Sequence, residues 1–170
     1  MRRLILLLCL VLAVNAGCKR REKARVQTIE ESSVGLASTV NMADPRQSTQ
    51  LVSGFYDVEQ NAWRWTKGKF SVVLKPTKGP AALVVHLAIP ESVMSKVKTV
   101  TLTATVNGTA LPPQTYTKDG EDVYKQDVPV SALTGDAVTV AFSLDKFLAA
   151  GAIEERELGI VVSSIGLEAK

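Results

Sequence analysis

From Leu51 onward the chain alternates with a period of two. Val100, Leu102, Ala104 and Val106 alternate with Thr99, Thr101, Thr103 and Thr105. Neighbouring side chains of an extended strand point to opposite faces, so this spacing gathers the apolar residues on one side and the threonines on the other. An amphipathic helix needs apolar positions three and four apart and cannot use this pattern. The same kind of row recurs at Val138-Val140-Phe142-Leu144, at Leu83-Val85-Leu87-Ile89 and at Phe70-Val72-Leu74, and more weakly at Tyr124-Gln126-Val128. Leu158 to Leu167 is apolar almost throughout, as expected of a strand covered on both faces.

Turn chemistry separates these rows. Asn107-Gly108 suits a type I′ hairpin, and Lys118-Asp119-Gly120-Glu121 is a second turn of that kind. Lys78-Gly79-Pro80, Pro112-Pro113 and Thr134-Gly135-Asp136 punctuate the rest. Short, regularly spaced strands with such turns predict an all-β protein: an antiparallel β-sandwich, jelly-roll or immunoglobulin-like, over residues 51–168. Single helical turns are expected at Ser131-Ala132-Leu133 and from Lys146 to Ala150. No segment shows a helical period over ten residues.

The N-terminus has a different character. Met1-Arg2-Arg3 precedes an apolar run from Leu4 to Val14, then Asn15-Ala16-Gly17-Cys18. The run is shorter than the about 20 residues of a membrane span and fits a signal peptide over residues 1–17. Ala16-Gly17-Cys18 resembles the lipobox of bacterial lipoproteins, although Asn15 stands where that motif usually carries Leu. Cleavage after Ala16 by ordinary signal peptidase is the competing reading, with a secreted or periplasmic product. Cys9 leaves with the signal peptide, so Cys18 is the only cysteine of the mature chain. A leftover cysteine in an exported protein needs a role. Lipidation of Cys18 supplies one and places the protein in the cell envelope, on the periplasmic side of the outer membrane if there is one.

Residues 1–50 hold eight basic and four acidic residues, against twelve and thirteen in residues 51–170. The net charge of +3 therefore belongs to the arm, where Lys19 to Arg25 is densely basic and suits either a solvated tether or anionic head groups. Residues 18–50 are expected to be a lipidated terminus and flexible linker, with one early strand near Val34 to Val40. The domain carries no basic stripe, which argues against nucleic acid as a partner.

Both tryptophans fall in Gly54-Phe55-Tyr56-Asp57-Val58-Glu59-Gln60-Asn61-Ala62-Trp63-Arg64-Trp65-Thr66. Extended, this stretch puts Trp63 and Trp65 on one face and Arg64 on the other. At least one indole is expected to be largely buried, as large aromatics in small β domains are. Arg64 and Arg156 are expected to pair with carboxylates, Glu59 being a candidate. Tyr56, Trp63, Trp65 and Arg64 are the candidate ligand-binding residues, because sugars stack on exposed aromatic rings.

Several phrases together carry a resemblance. They are Gly54-Phe55-Tyr56 with Glu59, Trp63-Arg64-Trp65-Thr66, Val106-Asn107-Gly108, Tyr124 before Val128-Pro129, and Arg156-Glu157-Leu158-Gly159-Ile160. Over residues 51–168 the chain resembles β-sandwich, jelly-roll-like accessory domains found beside bacterial glycosyltransferases and in uncharacterised bacterial lipoproteins. The resemblance implies a non-catalytic module concerned with cell-envelope glycans.

Catalytic signals are weak. The only histidine, His86, sits mid-strand, where it reads as a packed or surface residue. No Gly-x-Ser-x-Gly elbow and no HExxH motif occurs. Asp119, Glu121 and Asp122 lack EF-hand spacing and read as a solvated turn rather than a calcium site. No enzyme activity, cofactor or metal is expected. Two function classes remain: a glycan-binding module, or an envelope lipoprotein that docks another protein through a sheet edge or face.

Overall fold

The computed structural model describes residues 35–152 and 154–170. The signal segment, Cys18 and the basic arm lie outside the described residues. The strands are β1 (Thr39–Asn41), β2 (Leu51–Glu59), β3 (Trp63–Leu74), β4 (Ala81–Ile89), β5 (Val100–Val106), β6 (Thr109–Ala110), β7 (Gln114–Tyr116), β8 (Gly120–Val128), β9 (Val138–Leu144) and β10 (Val161–Ala169). All pairings between them are antiparallel. The fold is an all-β antiparallel sandwich.

β3 is long enough to serve both layers. Its end, from Lys69 to Leu74, pairs with β9, and β9 pairs with β5. Its start, at Arg64 and Trp65, pairs with β10, which pairs with β4 and β4 with β8. The handover occurs at Thr66. Thr66 N–H donates to the Ile160 carbonyl at 2.8 Å, and the Thr66 hydroxyl accepts from Ile160 N–H at 3.1 Å. A buried threonine is tolerated there because each polar atom has a partner.

β2 follows β3 through the same bend, and its register slips on either side of Gly54 and Phe55. Gly54 has φ +78°, and a Cβ there would collide with the Lys69 carbonyl and the Phe70 backbone. Only glycine combines that backbone conformation with so close an approach. The β2–β3 turn has Gln60 at φ 52° and Asn61 at φ 53°, closed by Ala62 N–H on the Glu59 carbonyl at 3.1 Å. Positive φ at both central residues is type I′ geometry, usually the province of Asn-Gly. The stretch from Gly54 to Thr66 is therefore a bent hairpin and not one extended run.

The predicted rows are the core. Val72, Leu74, Val100, Leu102, Val140 and Phe142 come from one layer and pack with Leu83, Val85, Tyr124, Val162 and Ile165 from the other. Phe70 stacks on Phe142 with centroids 4.7 Å apart, and Phe55 meets Phe70 edge-on at 5.4 Å.

The expectations for the linker, the bounds of the early strand and Lys146 to Ala150 need correction. The linker expected over residues 18–50 includes part of the sandwich. β1 pairs with β10, and Gln50 is buried, accepting from Ala37 N–H and donating to the carbonyls of Ala37 and Val73 at 3.0 and 2.7 Å. Among the described residues the early strand is Thr39–Asn41, at the end of the stretch near Val34 to Val40 where it was expected. A short helix, α1 (Glu91–Val97), follows Pro90, with Glu91 in its first turn and Lys96 in its last. Those charges suit the helix dipole, but seven residues are too few to show a helical period. The helical turn at Val130–Ala132 is present, whereas Leu148 forms a β-bridge with Leu158 where a turn of helix was expected.

Candidate functional site

The core row of β3 is even-numbered: Thr66, Gly68, Phe70, Val72 and Leu74 are all buried. Trp63 and Trp65, being odd, point to the outer face of the second layer. Both are half-buried and neither is enclosed in the core, which corrects the expectation that one indole would be largely buried. Trp65 still packs against the core's rim. The two rings stand edge-to-face, with centroids 6.3 Å apart and planes at 82°.

Strand pairing carries this face across the layer. Trp65 aligns with Val161 of β10, Val161 with Ala88 of β4, and Ala88 with Glu121 of β8. One row further, His86 lies opposite Ser164 and Val123. Core residues of β4 are Leu83, Val85, Leu87 and Ile89, so the even positions His86 and Ala88 look outward. Tyr124 and Val128 of β8 face the core, so Glu121 and Val123 look outward. Ser163 sits in an irregularity of the β4–β10 register, and its hydroxyl donates to the His86 carbonyl at 3.3 Å. Bulges often redirect side chains beside binding sites.

These strands enclose a hollow of about 660 Å³ on the outer face. That lies within the range usual for small-ligand sites, about 300–1,000 Å³. Trp63 and Trp65 wall one end, Glu121 and Asp122 the other, and Val161, Ala88 and His86 lie between. An apolar floor with a few polar groups is what orients a small polar ligand. Indole faces can stack against the apolar face of a sugar ring, and carboxylate, imidazole and hydroxyl groups can take its hydroxyls.

The structure separates the other two candidates from the indoles. Arg64 faces away, and its guanidinium donates to the backbone carbonyls of Met42 at 3.1 Å and Tyr56 at 2.9 Å. It ties the end of β1 and the bend of β2 to β3. The carboxylate partner expected for it is replaced by two carbonyls, which need donors just as much. Tyr56 lies outside the hollow, where Arg156 and Lys67 sit over its ring at 5.1 and 5.7 Å. Arg156 makes the expected pair with Glu59 at 2.8 Å and is also held by Glu154. Together with the Gly68 N–H donated to Glu157 at 2.7 Å, these contacts strap the loop before Leu158 onto β2 and β3.

Sequence reasoning missed the hollow's far wall. The signal was parity: His86 and Glu121 sit out of phase with the core rows of their own strands. Asp119 does not join Glu121 and Asp122 at the main hollow, and no group of three or more His, Cys, Asp or Glu suited to a metal ion occurs among the described residues. No helix among the described residues is long and apolar enough to cross a membrane.

No protein-family model matches the sequence, and no curated protein matches it. Solved structures do resemble it. A family GH115 4-O-methyl-α-glucuronidase with specificity for decorated arabinogalactans is similar at a TM-score of 0.50 and 10% identity, over 79% of this chain and 18% of that one. This chain thus spans less than a fifth of that enzyme's length. A family 35 carbohydrate-binding module from an environmental isolate gives a TM-score of 0.43 at 14% identity, over 82% of this chain and 90% of that one. The carbohydrate-binding module CBM36, in complex with calcium and xylotriose, gives 0.42 at 8% identity, over 76% and 98%. At such identities the likeness is one of fold.

Proposed function

We propose that the protein is a non-catalytic, glycan-binding accessory module of the cell envelope, held at the membrane by lipid on Cys18. The observation that carries the reading is the placement of Trp63 and Trp65. Two half-buried indoles sit side by side on an outer sheet face, opening onto a 660 Å³ hollow with polar groups opposite. A core role would have put them on the even face. The resemblance to accessory domains of bacterial lipoproteins points the same way.

The docking reading draws on β8, which among the described residues pairs with β4 alone and leaves its other edge unpaired. That edge carries Glu121, Asp122, Lys125 and Asp127. Charged side chains on an edge strand discourage strand addition, so the face is the better candidate.

A glycan array tests the binding role. Retention of an oligosaccharide by the wild type and its loss in Trp63→Ala supports it, and a blank array rejects it. The anchor is tested separately: mass spectrometry of the membrane fraction should find acylated Cys18 at the mature N-terminus. An unmodified terminus at Gly17 would rule lipidation out.

A further inference from the structure

The charge of the hollow narrows the ligand class. Among the described residues that line it, the ionisable ones are His86, Glu121 and Asp122, and none is lysine or arginine. Lys118 lines an adjoining hollow with Glu121 and Asp122, beside the β7–β8 turn. Lys125 pairs with Glu168 at 3.2 Å, and Lys170 pairs with Asp127. Glu121 and Asp122 have no ion-pair partner among the described residues. The Asp122 carboxylate accepts the N–H of Val123 at 2.7 Å and, one residue on from Glu121, points to the opposite face, where its charge acts on Tyr116.

The indoles and Glu121 are too far apart to act on one atom. The row from Trp65 through Val161 and Ala88 to Glu121 crosses three strand spacings, roughly 14 Å at about 4.8 Å each. A ligand touching both ends is longer than a monosaccharide. One sugar lies on the indoles and another reaches the Glu121 carboxylate.

We propose that this face selects oligosaccharides bearing free amino groups and turns away those bearing carboxylate or sulfate. The inference rests on the glycan-binding reading above. A protonated amine gains the outward-facing Glu121 carboxylate at the β8 end, while an anionic sugar meets like charge with no lysine or arginine lining the hollow. The carboxylate is exposed, so it contributes modestly, and a preference of about threefold over the neutral sugar is expected.

The test uses an array carrying several linkages, each in neutral, amino and uronic forms, read at about pH 6, where the amines are charged. The expected order is amino, then neutral, then uronic. Added salt should shrink the first gap, because screening weakens exposed charge pairs. Glu121→Gln should lower amino-form binding to the level of the neutral form in the same variant. Glu121 is exposed, so folding should survive, and circular dichroism verifies it. Equal binding of amino and neutral forms, or a preference for uronic forms, overturns the proposal while the glycan reading stands. A blank array for every form overturns both.

Discussion

The ring of Trp65 meets that of Trp63 edge-to-face, 6.3 Å away at 82°, on the face of β3 that turns from the core. Such pairs contribute about 0.5–1.5 kcal/mol beyond their burial. Only Trp65 also leans on the core cluster. Trp65→Ala should therefore destabilise the domain by about 2–3 kcal/mol, and Trp63→Ala by about 1. Urea unfolding midpoints of the two variants test this. Equal losses above about 3 kcal/mol would mean that both indoles belong to the core.

Gly54 marks the bend of β2. Its positive φ and its closeness to the Lys69 carbonyl leave no room for a methyl group. Gly54→Ala should destabilise by at least about 3 kcal/mol, since backbone must move on both strands. Gly79 also has a positive φ, but a Cβ there meets nothing within 4 Å. Gly79→Ala should lose only about 1 kcal/mol. Thermal melts of the pair separate collision from backbone preference.

Two buried tyrosines should respond oppositely to loss of the hydroxyl. Tyr124 donates to the Pro112 carbonyl at 2.9 Å, whereas the Tyr116 hydroxyl is buried without a partner among the described residues. Tyr124→Phe should be destabilising by about 1 kcal/mol, and Tyr116→Phe neutral or stabilising by a similar amount. Denaturant titration of both variants measures the contrast, and an equal loss at both positions would contradict it.

The same tyrosines set an alkaline limit. Burial pushes the Tyr124 phenol up to about 12, and burial followed by the Asp122 charge pushes Tyr116 upward too. Below the ordinary value of 10.0 folded and unfolded chains both keep these protons, and stability is whole. Above it the unfolded chain releases protons that the fold retains, so stability falls as pH rises toward the folded value. The slope should be about 1.4 kcal/mol per pH unit for each tyrosine. Unfolding free energies at closely spaced pH values above 10.0 should fall in the wild type and less steeply in Tyr124→Phe.

The core was legible because a period of two is a local property. Rows such as Val100-Leu102-Ala104-Val106 declare their buried face without knowledge of their neighbours. The outward placement of Trp63 and Trp65 was also within reach. Phe70-Val72-Leu74 fixes the even positions of β3 as core, and nothing between Trp65 and Phe70 breaks the phase. What stayed hidden depends on register. That Ala88 would align with both Val161 and Glu121, and so bring the Glu121 carboxylate to the indoles' face, follows from pairing between segments distant in sequence. Arg64 bound to carbonyls was equally hidden, since a backbone acceptor leaves no mark in the sequence. α1 is seven residues long, too short for periodicity to register.

The central claim is that the outer face of the second layer binds glycan through its indoles. Calorimetric titration of the wild type and Trp63→Ala with the best array oligosaccharide tests it most directly. The account predicts wild-type dissociation constants between about 1 mM and 1 μM, or about −4 to −8 kcal/mol. In Trp63→Ala binding should weaken at least about tenfold, a loss of about 1.4 kcal/mol in binding, with the fold intact. Undiminished affinity in a folded Trp63→Ala protein would contradict it.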